Sequence, residues 1–65
     1  MEQTTFKLYE LCGYLRLSKS TIYKLIKIGD FPPAIKLTEK TSIWLKADAD
    51  NWLKSKIEEA RGVAA

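Results

Sequence analysis

The chain has 65 residues, 46% of them hydrophobic, with a net charge of +3; this is one domain around one small core, with no room for a cleft between two domains. It has no histidine and a single cysteine, Cys12, so an internal disulfide, a structural zinc site and any serine–histidine or cysteine–histidine catalytic pair are excluded. No apolar run approaches the roughly 18 residues that span a bilayer and MEQTTFK does not read as a secretory signal, so a cytoplasmic protein is expected.

The first predicted element is a helix over about residues 7–14, because Leu8, Leu11, Cys12 and Leu15 recur at i, i+3, i+4 and i+7. Thr4 or Thr5 is placed to cap it, and Gly13 to mark its end. A tight connection from Tyr14 to Leu17 follows. Ser18 then opens a second helix, Ser18 to Ile28, as an N-cap whose hydroxyl accepts a free backbone N–H. Ile22, Leu25 and Ile26 form its apolar stripe. Gly29 is placed as a left-handed stop, and Pro32 and Pro33 forbid continuation.

Residues 34–46 switch to a period of two. Ile35 and Leu37 flank Lys36, and Ile43 and Leu45 flank Trp44, with the polar run Thr38 to Thr41 between them. This predicts a β-hairpin without a two-residue primed turn. A last helix carries Ala49, Trp52, Leu53, Ile57 and Ala60 on one face, with Asp48 and Asp50 early and Arg61 late, as the helix dipole favours. The ends, MEQT and GVAA, read as frayed. The fold class is mainly α with a small β-hairpin, in the order helix, turn, helix, hairpin, helix. That is a winged helix-turn-helix in one domain, with an ordered core of about 6–60.

The charge is unevenly placed. Residues 1–15 sum to −1, residues 16–40 to +4 and residues 41–65 to zero. A polyanion suits the basic middle, although a plain solvated surface has the same charge. With Ile22, Leu25 and Ile26 facing the core, helical geometry turns Lys19, Ser20, Tyr23, Lys24 and Lys27 outward, with Thr21 at the edge. These donors suit phosphates and base edges, and no acid interrupts them. Arg16 and Ser18 border the same helix. Lys36 and Lys40 give the hairpin a basic wing able to follow a phosphate backbone or enter the minor groove.

Each residue has a plainer alternative. Tyr23 suits half-buried packing, Lys27 suits the helix dipole, and Lys40 suits a turn paired with Glu39. Arg16 suits either a phosphate or a pair with Glu10. Trp44 and Trp52 read as core.

The run LRLSKSTIYKLIKIGDFPPAIKLTEKTSIWLKADADNWL resembles the AlpA family of small phage and genomic-island regulators. These are winged-helix proteins related to MerR-type DNA-binding domains and to phage excisionases. The resemblance spans roughly Leu8 to Ile57. It rests on Leu17-Ser18-Lys19-Ser20-Thr21-Ile22-Tyr23-Lys24-Leu25, then Gly29-Asp30-Phe31-Pro32, Lys36-Leu37, and Trp44 with Trp52 eight positions later. Lys19, Lys24 and Lys40 stand where arginine is usual, which shifts the expectation from guanine readout toward phosphate contact. Ile43 stands where a small or basic residue is common, and Ala47 where a serine caps the last helix.

The resemblance implies a transcriptional regulator or recombination directionality factor (an excisionase) with no chemistry of its own and no cofactor. Its partner would be double-stranded DNA near an integrase gene or attachment site. A domain this small reads only a few base pairs, so several copies are expected on DNA, either monomers in solution that assemble cooperatively or preformed dimers; contact with the integrase would fall to the acid-bearing last helix, with Glu58 and Glu59. The competing expectation is an adaptor that contacts an integrase or polymerase without reading DNA.

Overall fold

The computed structural model describes residues 4–62. Its elements are β1 (Thr5–Phe6), α1 (Leu8–Leu15), α2 (Lys19–Lys27), β2 (Ile35–Lys36), β3 (Ser42–Leu45) and α3 (Lys46–Ala60). Three helices and a small antiparallel sheet make the winged helix-turn-helix expected from the sequence. Among the described residues, no helix is long and apolar enough to cross a membrane.

The start of α1 departs from expectation. Neither Thr4 nor Thr5 caps it; Lys7 is the N-cap, and its backbone N–H donates to Glu10 Oε1 at 2.9 Å. Thr5 instead belongs to β1, opposite Leu45. The helix also runs through Gly13 to Leu15. It ends at Arg16, which takes the left-handed conformation (φ 57°, ψ 41°) in which the chain turns toward α2.

Helix α2 is bounded as predicted. Ser18 Oγ accepts the Thr21 N–H at 3.1 Å. Gly29, at φ 81°, closes the other end. There the Gly29 N–H donates to Ile26 O and the Asp30 N–H to Leu25 O, the paired bonds of a Schellman stop.

The sheet has order β1-β3-β2, with β3 in the middle. Ile35 faces Ile43 and Lys36 faces Ser42 across the hairpin. Its tip is closed by Thr38, whose Oγ1 accepts the N–H groups of Lys40 and Thr41. The third strand, β1, was not predicted. Two residues are too few to show an alternation, and β1 forms because Phe6 is buried and pairs with Trp44. Beside it, the Thr4 carbonyl accepts the Lys46 N–H.

The core gathers Phe6, Leu11, Leu15, Ile22, Phe31, Trp44 and Ala49, with Trp52 and Leu53 packed against it. Leu11, Ile22 and Ala49 are fully buried, so one residue of each helix pins the three together. The hairpin's apolar residues behave differently: Ile35 on β2 and Leu37 just beyond it remain exposed. On β3, Ile43 and Trp44 are both buried although successive strand residues point to opposite faces. Helix α3 begins at Lys46 with Leu45 as N-cap and no side-chain cap. A Lys46–Asp50 pair at 2.7 Å supports its first turns.

Candidate nucleic-acid interface

Helix α2 sorts its residues as its period requires. Ile22 is fully buried, and Leu25 and Ile26 pack against the core. Lys19, Ser20, Tyr23, Lys24 and Lys27 are exposed, and Thr21 is half-buried. Tyr23 is half covered by the fold and half open, so it fits both half-buried packing and surface contact. At 49% exposure its ring stands at the surface beside Lys19 and Lys27, one turn away on either side. The outward face therefore combines three ammonium groups, two hydroxyls and an aromatic ring, with no carboxylate.

Ser18 and Thr21 are tied to one another. Their hydroxyl oxygens lie 2.8 Å apart, in addition to the cap bond from Thr21 N. One hydroxyl proton closes that bond. The other remains available to an outside acceptor, so the pair can both cap the helix and offer a donor.

Arg16 sits at the bend between α1 and α2 with its side chain exposed. The Arg16–Glu10 pair is not formed among the described residues; Glu10 receives the Lys7 N–H. On the wing, Lys36 and Lys40 are both exposed. Thr38 organises the turn, and no Glu39–Lys40 ion pair forms among the described residues. The ten residues read from the sequence are thus all at least partly exposed, on α2, its leading turn and the hairpin.

The sequence did not reveal what holds α2 in place. Asp30, just past the stop, accepts the Trp52 indole N–H at 3.0 Å and the Lys56 ammonium at 2.9 Å. The Lys56 ammonium, then the indole, hold the Asp30 carboxyl below the usual carboxylate range; the same bond raises Lys56. The Phe31 and Trp52 rings meet edge to face at 5.2 Å beside this clasp. A carboxylate adjoining the basic face is thereby neutralised by α3, and the end of α2 is fixed to α3.

A second clasp ties α1 to α3. The Tyr14 hydroxyl donates to Asp50 Oδ1, and the Lys46 ammonium bonds Asp50 Oδ2 and lies 5.6 Å from the Tyr14 ring centre. The Asp50 carboxyl is lowered by Lys46 and then by Tyr14, while the Tyr14 hydroxyl is raised by its bond to Asp50. Lys46–Asp50 was readable as an i, i+4 pair; Tyr14 and Asp30 act across the fold, where spacing carries no signal. Trp44 donates its indole N–H to the Pro32 carbonyl at 3.2 Å, which holds the segment after α2 against β3.

Comparison with known proteins agrees with this architecture. Residues 5–57 match the family described as prophage CP4-57 regulatory protein (AlpA). Uncharacterized protein ORF88 of Enterobacteria phage P4 is 45% identical over 47 residues, covering 72% of this chain and 50% of that protein. The chain thus spans half the length of the curated relative it matches. No solved structure matches it. On a family match covering nearly the whole described fold, the chain belongs to the AlpA family of prophage regulatory proteins.

Proposed function

We propose that the chain is a sequence-selective DNA-binding regulator that acts at an integrase gene or attachment site of a prophage or genomic island. The observation that carries this reading is the outward face of α2. A braced helix presents Lys19, Ser20, Tyr23, Lys24 and Lys27 without a carboxylate, while Ile22 anchors it from behind. Its family membership supports a regulatory role.

In this reading α2 enters the major groove by its N-terminal half, as in other helix-turn-helix domains. Lys24 and Ser20 reach base edges or phosphates, and the Tyr23 ring packs against sugar or a thymine methyl. Lys19, Lys27, Arg16 and the Ser18–Thr21 pair hold the backbone. The wing lysines, Lys36 and Lys40, contact the flanking strand or minor groove. Lysines are point charges, so backbone positioning outweighs bidentate base recognition.

A domain this small spans only a few base pairs, so specificity comes from several monomers assembling side by side. Such an array bends the attachment site toward excision, with Glu58 and Glu59 on α3 meeting the integrase. The first test is footprinting on the attachment site and the DNA upstream of the integrase gene. A protected tract of repeated short sites supports the reading. Absence of protection at low salt refutes it.

A further inference from the structure

We propose that the groove between α1 and the start of α2 is a second DNA site, which seats one backbone phosphate and its sugar just outside the sequence read by α2. This rests on the DNA-binding reading above. The groove has a volume of about 520 Å³ and is lined by Lys7, Leu8, Tyr9, Cys12 and Lys19.

Its chemistry is divided. Among the described residues, Lys7 and Lys19 are its only charged lining residues, and both are cationic. Leu8 and Cys12, half-buried, give it an apolar floor. Tyr9 forms a wall and is 75% exposed, the most exposed large hydrophobic side chain among the described residues. A ring so exposed contributes little to the core. Glu10, the nearest acid in sequence, is turned to the Lys7 backbone N–H and does not line the groove.

An anion flanked by a compact, weakly polar body matches these walls. A phosphodiester unit has that form: its phosphate sits between the two ammonium groups and its deoxyribose lies against the tyrosine ring. The Tyr9 hydroxyl supplies a further phosphate donor. Lys19 decides which anion this is. It is the first residue of α2 as well as a wall of the groove, so the groove continues the basic face onto the adjoining strand. A duplex read by α2 delivers a phosphate there; a free anion gains nothing from that continuity.

The test uses the full chain and a Lys7→Gln, Tyr9→Ala double variant, changed at two exposed positions. Affinity is measured over a salt series on two duplexes, one ending at the α2 site and one extended by flanking base pairs. The wild-type chain gains affinity on the longer duplex and the variant does not. The variant's log-affinity against log-salt slope is shallower by about 0.9, one phosphate's worth, with its sequence preference unchanged. Inorganic phosphate at matched ionic strength leaves the Tyr9 NMR signals in place, whereas the longer duplex moves them. A variant with the wild-type slope and the wild-type gain overturns the proposal while leaving the α2 reading intact. Phosphate alone moving Tyr9, with no response to duplex, also overturns it. A wild-type chain that binds neither duplex at low salt overturns both readings.

Discussion

Among the described residues, Arg16 is the one non-glycine residue with positive φ, at φ 57° and ψ 41°. A left-handed conformation costs an ordinary L-residue roughly 1–2 kcal/mol. Arg16→Gly removes that cost, while glycine's extra freedom in the unfolded chain offsets roughly 0.5–1 kcal/mol of the gain. The variant is therefore more stable by about 0.5–1 kcal/mol. At about 2.1 cal/mol/K per residue, the unfolding entropy of this 65-residue chain is about 0.14 kcal/mol/K, so Tm rises by about 4–7 °C. Thermal unfolding followed by circular dichroism, with urea titration beside it, measures the change. The same variant loses a cation beside α2, so its DNA affinity falls and its salt slope becomes shallower. Arg16 would then be a residue kept for binding at the expense of folding. A lower Tm for Arg16→Gly would refute the strain argument, because the side chain would contribute more to folding than its backbone costs.

Two glycines extend the same logic with opposite signs. Gly13 lies inside α1 and a Cβ there meets nothing within 4 Å, so Gly13→Ala stabilises by about 0.5–1 kcal/mol in urea titration. A Cβ at Gly29 has equal space, but its φ of 81° makes Gly29→Ala destabilising by about 1–2 kcal/mol. Ser18→Ala removes the acceptor for the Thr21 N–H and costs about 1 kcal/mol, most of which Ser18→Asn restores. Asp30 and Asp50 have folded-state pKa values below the ordinary 3.8, so the unfolded chain binds protons first as pH falls. Their contribution is complete above that value and is lost as pH drops below it. Acid titration of Trp fluorescence shows this loss, and Asp30→Asn flattens it.

The helices were legible because their signals are local. Ser18, Gly29 and the stripe Ile22, Leu25 and Ile26 mark α2 within twelve consecutive residues, and burial of Ile22 follows from the period alone. The outward face was legible for the same reason. What escaped depends on distance along the chain. Phe6 joins a sheet through β3, and Asp30 is held by residues 22 and 26 positions later. The end of α1 was misplaced because Gly13 looked like a stop, whereas the turn was made by Arg16 in a conformation that sequence seldom assigns to arginine. Lys7 and Tyr9 escaped because their partner in the groove, Lys19, lies on another helix. Ile35 and Leu37 followed the alternation of a half-buried strand yet stay exposed, since alternation marks one face of a strand but not whether another element covers it.

The central claim is that the exposed face of α2 binds DNA. Its most direct test compares the wild-type chain with a Tyr23→Ala, Lys24→Ala double variant on attachment-site duplex and on scrambled duplex, across a salt series. Both positions are exposed, so the variant keeps the wild-type fold by circular dichroism. The account predicts steeply salt-dependent wild-type binding that prefers the attachment site, and a variant that loses affinity and most of that preference. A folded variant that binds the attachment site as tightly and as selectively as the wild-type chain contradicts it.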